Sequence, residues 1–238
     1  MRTVVSYIIL AVMAFSFPSC LFLGPSAKGD GDVREEKREV GEFHGVSVTS
    51  GMNVHFIQGE QHKVVVVADA NLHKLIETKV EDGVLEVRAL ANIWKASEKK
   101  VVVTAPDLSE ISGTAGSNLY TDNQLKAGKI RIKGSAGSNL YINIDGQNVE
   151  VSGSSGSNIN MEGTIRELII KSSSGANVKA EDVDAGKCEA KASSGGNLWI
   201  SASKELTADA SSGGNIFYSG TPSSFQSNSS SGGNIIKK

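Results

Sequence analysis

Five side chains stand where they could touch another molecule: Tyr120, Tyr141, Trp199, Phe217 and Ile236. Each lies two residues after an asparagine, at Asn118, Asn139, Asn197, Asn215 and Asn234. The same position holds Asn160 after Asn158 and Lys179 after Asn177. The residue directly after each asparagine is apolar: Leu119, Leu140, Ile159, Val178, Leu198, Ile216 and Ile235. Strand neighbours point to opposite faces, so the apolar residue turns inward and the next one outward. Aromatic and aliphatic groups held outward in register form a stripe. Such a stripe is a platform for sugar rings or a protein partner, or a seam between two copies of the chain. The asparagines bring a different chemistry. A primary amide both donates and accepts, so stacked amides can bond rung to rung as a ladder.

Catalytic and metal chemistry has little footing. His44, His55, His62 and His73 show no two-to-four-residue ligand spacing and read as scattered surface histidines. Glu162, Glu181 and Asp182 could gather on adjacent rungs, as acidic groups do in lyases built on stacked coils. Without a paired base and a cleft, they read as a solvated acidic strip. Calcium-binding solenoids carry aspartate in Gly-Gly-x-Gly-x-Asp repeats, and the neutral asparagine here argues against a calcium ladder. No cofactor, metal or catalytic residue is expected, and a non-enzymatic role follows.

The elements that position these groups are written in a repeat. Gly113–Asn118, Gly134–Asn139 and Gly153–Asn158 are near-copies of one phrase, and shorter copies end at Asn177, Asn197, Asn215 and Asn234. Successive asparagines are 21, 19, 19, 20, 18 and 19 residues apart. A period this short means that each repeat is one rung and that rungs stack. In the rung ending at Asn158, Val149 and Val151 point inward before the turn, Ile159 and Met161 after it, and Gly163 ends the second strand. The other inward pairs are Ile130/Ile132, Leu168/Ile170, Cys188/Ala190, Leu206/Ala208 and Phe225/Ser227. The fold class is all-β: a β-helix or β-solenoid of about seven 19-residue rungs over residues 107–238, with a strand-rich N-terminal region over 39–106. That region is expected to cap the first rung; only Asn71–Thr78 has helical spacing. The core thins toward the last rung, and with the stripe this favours a dimer or end-on packing.

Residues 1–19 read as a secretory signal: Arg2, then a mostly apolar Val4–Phe17 too short to span a bilayer. Phe17-Pro18-Ser19-Cys20 resembles a bacterial lipoprotein processing site without the usual leucine three residues before the cysteine. The alternative is an ordinary cleaved signal beside a chance cysteine. Lipidation of Cys20 would anchor the chain to the membrane, with residues 20–38 as lipidated start and tether. Cys188 would then have no disulfide partner and would serve as a small buried hydrophobe. Without residues 1–19 the chain keeps 23 basic residues (24 less Arg2) and 26 acidic ones, a charge near −3. Nucleic acid is not an expected partner.

The repeated Ser-Gly-(Gly/Ser)-Asn-(Ile/Leu/Val) phrases are joined upstream by Ser50-Gly51-Met52-Asn53-Val54, a degenerate copy, and Phe56-Ile57-Gln58-Gly59. Together, from Glu39 to Lys238, they resemble the GIN-type family described as "putative auto-transporter adhesin head domain". The resemblance implies a β-rich extracytoplasmic domain of the kind carried by secreted Gram-negative lipoproteins. It places the protein in the cell envelope as an outer-membrane lipoprotein, on the periplasmic or the outer face. The expected partners are a glycan or an envelope protein. The sequence ends at Ile235-Ile236-Lys237-Lys238, where an autotransporter would continue into a membrane barrel.

Overall fold

Each repeat phrase folds into the same tight corner. In the computed structural model, which describes residues 25–238, two consecutive corner residues are left-handed. The first is Ala115, Ala136, Ser155, Ser174, Ser194, Ser212 or Ser231, with φ of 46–50°. The second is a glycine, from Gly116 to Gly232, with φ of 70–76°. Two positive φ values in a row define the reverse turn that glycine best tolerates. The alanine or serine in each pair costs about 1 kcal/mol of backbone strain. Hydrogen bonds such as Ser117 N–H to Thr114 O (3.1 Å) close each turn, and Gly116 N–H to Ala136 O (3.0 Å) binds it to the next corner.

The strands begin with β1 (Ser26–Lys28), β2 (Val33–Arg38), β3 (Gly45–Val48), β4 (Asn53–Gln58) and β5 (Lys63–Asp69). A short 3-10 helix over Ala70–Leu75 leads to β6 (Ile76–Glu81), β7 (Val84–Ala89), β8 (Asn92–Lys95) and β9 (Lys99–Ala105). The repeats supply β10 (Glu110–Gly113), β11 (Asn118–Thr121) and β12 (Leu125–Gly134). Four long strands follow: β13 (Asn139–Gly153), β14 (Asn158–Ser172), β15 (Asn177–Ala192) and β16 (Asn197–Ala210). The last are β17 (Asn215–Ser219), β18 (Ser224–Ser229) and β19 (Asn234–Lys237). The fold is therefore nearly all β, a solenoid of about seven turns, about 19 residues apart.

From β10 onward all pairing within the repeats is parallel, and at the corners it is in phase: Asn139 faces Asn158, and Asn158 faces Asn177. The register shifts farther along β14, between Asn160 and Glu162, and along β15, between Ala180 and Lys187. Inward columns are continuous, and buried side chains run in one cluster from Phe43 to Ile216. Gly163 does not end a strand; β14 runs through it. Its φ is +121°, and it lies opposite Ile144 and Val183. The parallel ladder bonds across the bend, so each middle coil has one sharp corner and otherwise continuous strand. Phe225 and Ser227 hold the expected register opposite Leu206 and Ala208, but in this outer coil both are exposed.

The stack continues below the repeats by a route the period does not encode. Strands β3 and β4 pair in parallel with β10 and β11, and β7 and β9 pair in parallel with β3 and β4. Then polarity reverses: β5 runs antiparallel to β9, β2 antiparallel to β5, and β6 antiparallel to β7. Two expectations change here. Residues 33–38, read as tether, form β2 on the outer edge of this sheet, while β1 pairs with β8. Of the helical stretch Asn71–Thr78, only residues up to Leu75 are helical, with Leu72 fully buried; Ile76–Thr78 already belong to β6. The signal segment and Cys20 lie outside the described residues.

Candidate functional site

The site is one outward column of the solenoid with the asparagines beside it. Each asparagine starts a strand straight after a corner, which fixes its height. Asn Nδ2 donates to the Oδ1 of the preceding rung: Asn118 to Asn53 at 2.8 Å, Asn139 to Asn118 at 2.9 Å, Asn158 to Asn139 at 3.0 Å. The series continues with Asn177 to Asn158 at 3.1 Å, Asn197 to Asn177 at 3.0 Å, Asn215 to Asn197 at 2.9 Å and Asn234 to Asn215 at 2.9 Å. Interior amides each donate one bond and accept one along this line. The ladder commits one donor and one acceptor of each interior amide to the fold. The upstream phrase supplies an eighth member, Asn53.

Two residues on, the outward side chains stand in register: Val102, His55, Tyr120, Tyr141, Asn160, Lys179, Trp199, Phe217, Ile236. The rings form two separate stacks. Tyr120 and Tyr141 lie 4.9 Å apart with planes within 3°, and His55 stacks on Tyr120 at 5.0 Å. His55 Nδ1 is 2.9 Å from Asp122 Oδ1, which holds the imidazole against the stack. Trp199 and Phe217 lie 5.3 Å apart, and the Lys179 ammonium sits 5.7 Å from the Trp199 ring centroid. Tyr141 is 43% exposed and Ile236 46%; Tyr120, Trp199 and Phe217 are half-buried.

The ring separations match the strand spacing of about 4.8 Å. The rings are therefore stacked along the solenoid axis, covering each other's faces and turning their edges outward. His55 was missed by the sequence reading, although counting two residues on from Asn53 in the degenerate phrase finds it. Val102 and Val65, which extend the column into the cap, carry no such signal because β9 and β5 lie outside the repeat.

A family model described as "Putative auto-transporter adhesin, head GIN domain" matches residues 42–222. The chain belongs to this family. Its GIN fold is shared by solved structures at low sequence identity. One is a "putative adhesin" from Bacteroides fragilis NCTC 9343, with TM-score 0.78, 20% identity, and coverage of 89% of this chain and 99% of that one. Another is a "putative lipid binding protein" from Parabacteroides distasonis ATCC 8503, at TM-score 0.75 and 18% identity over 90% and 99%. A "putative adhesin" from the same strain has TM-score 0.70 and 19% identity over 90% and 100%. No curated protein matches the chain in sequence.

The other candidate groups do not converge on a second centre among the described residues. Glu162 faces Asp182 across β14 and β15, while Glu181 accepts from Lys238 Nζ at 2.9 Å. Each histidine has its own protein contact: His44 with Ser109, His62 with the Phe43 carbonyl, His73 with Glu36. Cys188 is buried, and burial, with Glu189 beside it, pushes its thiol up to about 12. Among the described residues no helix is long and apolar enough to cross a membrane.

Proposed function

We propose that this GIN-domain protein is a non-enzymatic binding module of the cell envelope, held to the outer membrane through a lipidated Cys20. The outward column carries the reading. It sets His55, Tyr120, Tyr141, Trp199 and Phe217 in register on a sheet whose polar backbone and asparagine amides are already bonded within the stack. Aromatic groups on a rigid sheet lose little entropy on contact, which is why they anchor recognition surfaces. The adhesin names of the structural relatives agree with this role. Lipid is the weaker ligand, because the coil interior is filled by buried side chains such as Ile142, Val178 and Ala208.

The test is a glycan array and an envelope-protein pull-down with residues 21–238, which keep every described strand. At least one of two double alanine substitutions, at Tyr120 and Tyr141 or at Trp199 and Phe217, should abolish binding and leave the circular-dichroism spectrum unchanged. Binding that survives both double substitutions removes the column as the site.

A second reading has its own support. Ile236 and Phe225 are exposed next to the Trp199–Phe217 and Tyr218–Phe225 stacks, as the seam of a homo-oligomer would be. Light scattering on wild type and on Trp199→Ser/Phe217→Ser separates the two. A dimer that becomes a monomer assigns that end of the column to assembly; a monomer in both leaves it free for a partner.

A further inference from the structure

Stacked rings cover one another, so a ligand that needs a ring face can use only the end of a stack. One face of Tyr120 lies on His55 and the other on Tyr141. Trp199 is covered by Phe217 on one side and lies under the Lys179 ammonium on the other. Phe217 has Ile236 in register on its second side. The face of Tyr141 remote from Tyr120 points along the stack to the next rung, and that rung carries Asn160. Asparagine is shorter than the rings on either side. Between Tyr141 and Lys179, two strand steps or about 10 Å apart, the column therefore has a gap with a ring face at one end and an ammonium at the other.

The rim of the gap narrows the chemistry. Asn160 makes its floor, and no side-chain hydrogen bond occupies its amide among the described residues, unlike Asn139, Asn158 and Asn177 beside it. On the other flank Glu162 accepts from Asn143 Nδ2 at 2.7 Å and faces Asp182. Neither Glu162 nor Asp182 forms an ion pair among the described residues, so this flank repels an anion. The gap thus presents an aromatic face, an amide that donates and accepts, carboxylate acceptors and one ammonium donor. The complement is a ring with an apolar C–H face, a hydroxylated edge and no negative charge.

We infer that the gap at Asn160, between Tyr141 and Lys179, is a subsite for one neutral pyranose ring of a glycan. The sugar's C–H face lies on Tyr141, its hydroxyls meet Asn160, Glu162 and Lys179, and its chain leaves along the column. This rests on the column being a binding surface and goes beyond it: Trp199 and Phe217, covered on their faces, are not the sugar contacts.

Asn160→Tyr tests the subsite, because tyrosine already occupies this column at two earlier rungs and continues the stack while filling the gap. The probes are maltohexaose, cellohexaose and chitohexaose as neutral glycans and a polygalacturonate hexamer as the acidic one. They are measured by saturation-transfer NMR and calorimetry on residues 21–238. At least one neutral probe should bind wild type in preference to the acidic one. Its affinity should fall about tenfold or more in Tyr141→Ala and in Asn160→Tyr, and change less than about twofold in Trp199→Ala. Binding that persists in Asn160→Tyr but is lost in Trp199→Ala overturns the subsite and keeps the column as a binding surface. Preference for the acidic probe, or wild type that binds none of the four, also overturns it. So does capture of an envelope protein by wild type and not by Asn160→Tyr, which would assign the gap to a partner's aromatic side chain.

Discussion

The cap and the coils enclose one continuous core by two different constructions. In the coils, a strand's neighbour is the strand one period away, and the outward and inward positions around each corner are inherited by the next rung. Irregularities come only farther along the strands, between Asn160 and Glu162 and between Ala180 and Lys187. In the cap, β2, β5 and β9 alternate in direction, and the chain descends from β4 to β5 and β6 before rejoining the stack through β7 and β9. The coils grow by repetition, whereas the cap must be specified contact by contact. Reversed strand direction is what stops the growth, since β2 presents a charged outer edge, Val33-Arg34-Glu35-Glu36-Lys37-Arg38, that discourages another strand.

The two constructions should also differ in energy. Phe56 in β4 is fully buried where cap and first coil meet, among valines and leucines. In the later coils small residues, Cys188, Ala190, Ala202, Ala208 and Ala210, take a larger share of the interior beside Leu198, Ile200 and Leu206. Phe56→Ala is expected to cost about 3–5 kcal/mol. Leu206→Ala should fall at or below the lower end of the range for large aliphatics, about 2–3 kcal/mol, because β18 beyond it is exposed. Urea denaturation measures both. Equal losses would mean that the cap is no better packed than the thin end of the stack.

This contrast also sets what could be read in advance. Leu119, Leu140 and Ile159 could be assigned inward, and Tyr120 and Tyr141 outward, because alternation and a 19-residue shift suffice. Val65 and Val102 could not be placed on the same column, because their neighbours are chosen by long-range pairing, parallel between His55 and Val102 and antiparallel between Val102 and Val65, that leaves no period. The 25–38 segment misled for a related reason. Its charges are those of an edge strand with both faces wet, and composition alone does not separate that from a tether. The corner glycines hid a further point: Gly163 looks like a terminator, yet a Cβ there would lie 2.0 Å from Ile144 O, so it marks close backbone approach within a strand.

The asparagine ladder allows a finer comparison within the coils. Asn177→Ala leaves Asn197 Nδ2 with only the long bond to Gly195 O at 3.4 Å and Asn158 Oδ1 without a donor, and about 1–3 kcal/mol should be lost. Asn234→Ala leaves only Asn215 Oδ1 unpaired, beside an exposed strand where water can replace it. Its cost should stay below about 1 kcal/mol. Thermal melts of the two variants decide this. If Asn234→Ala were as damaging as Asn177→Ala, the ladder would act through the corner conformation rather than through the amide pairs.

The smallest effect sharpens the contrast between interior and surface of a single rung. Burial, with Glu189 adding, raises the Cys188 thiol from 9.0 to about 12. The folded chain keeps its proton at a pH where the unfolded chain releases it. The stability tied to that proton is whole below pH 9 and is lost as pH rises toward 12. Cys188→Ala, a substitution that matches its neighbours Ala190 and Ala208, removes the titrating group without removing the rung. The urea midpoint of wild type should fall relative to that of Cys188→Ala between pH 8 and about 10.5, with the variant as reference for all other groups. Parallel decline of the two would mean that the thiol titrates in the folded coil much as it does in water. The interior of that rung would then be open to solvent, unlike the sealed columns on either side of it.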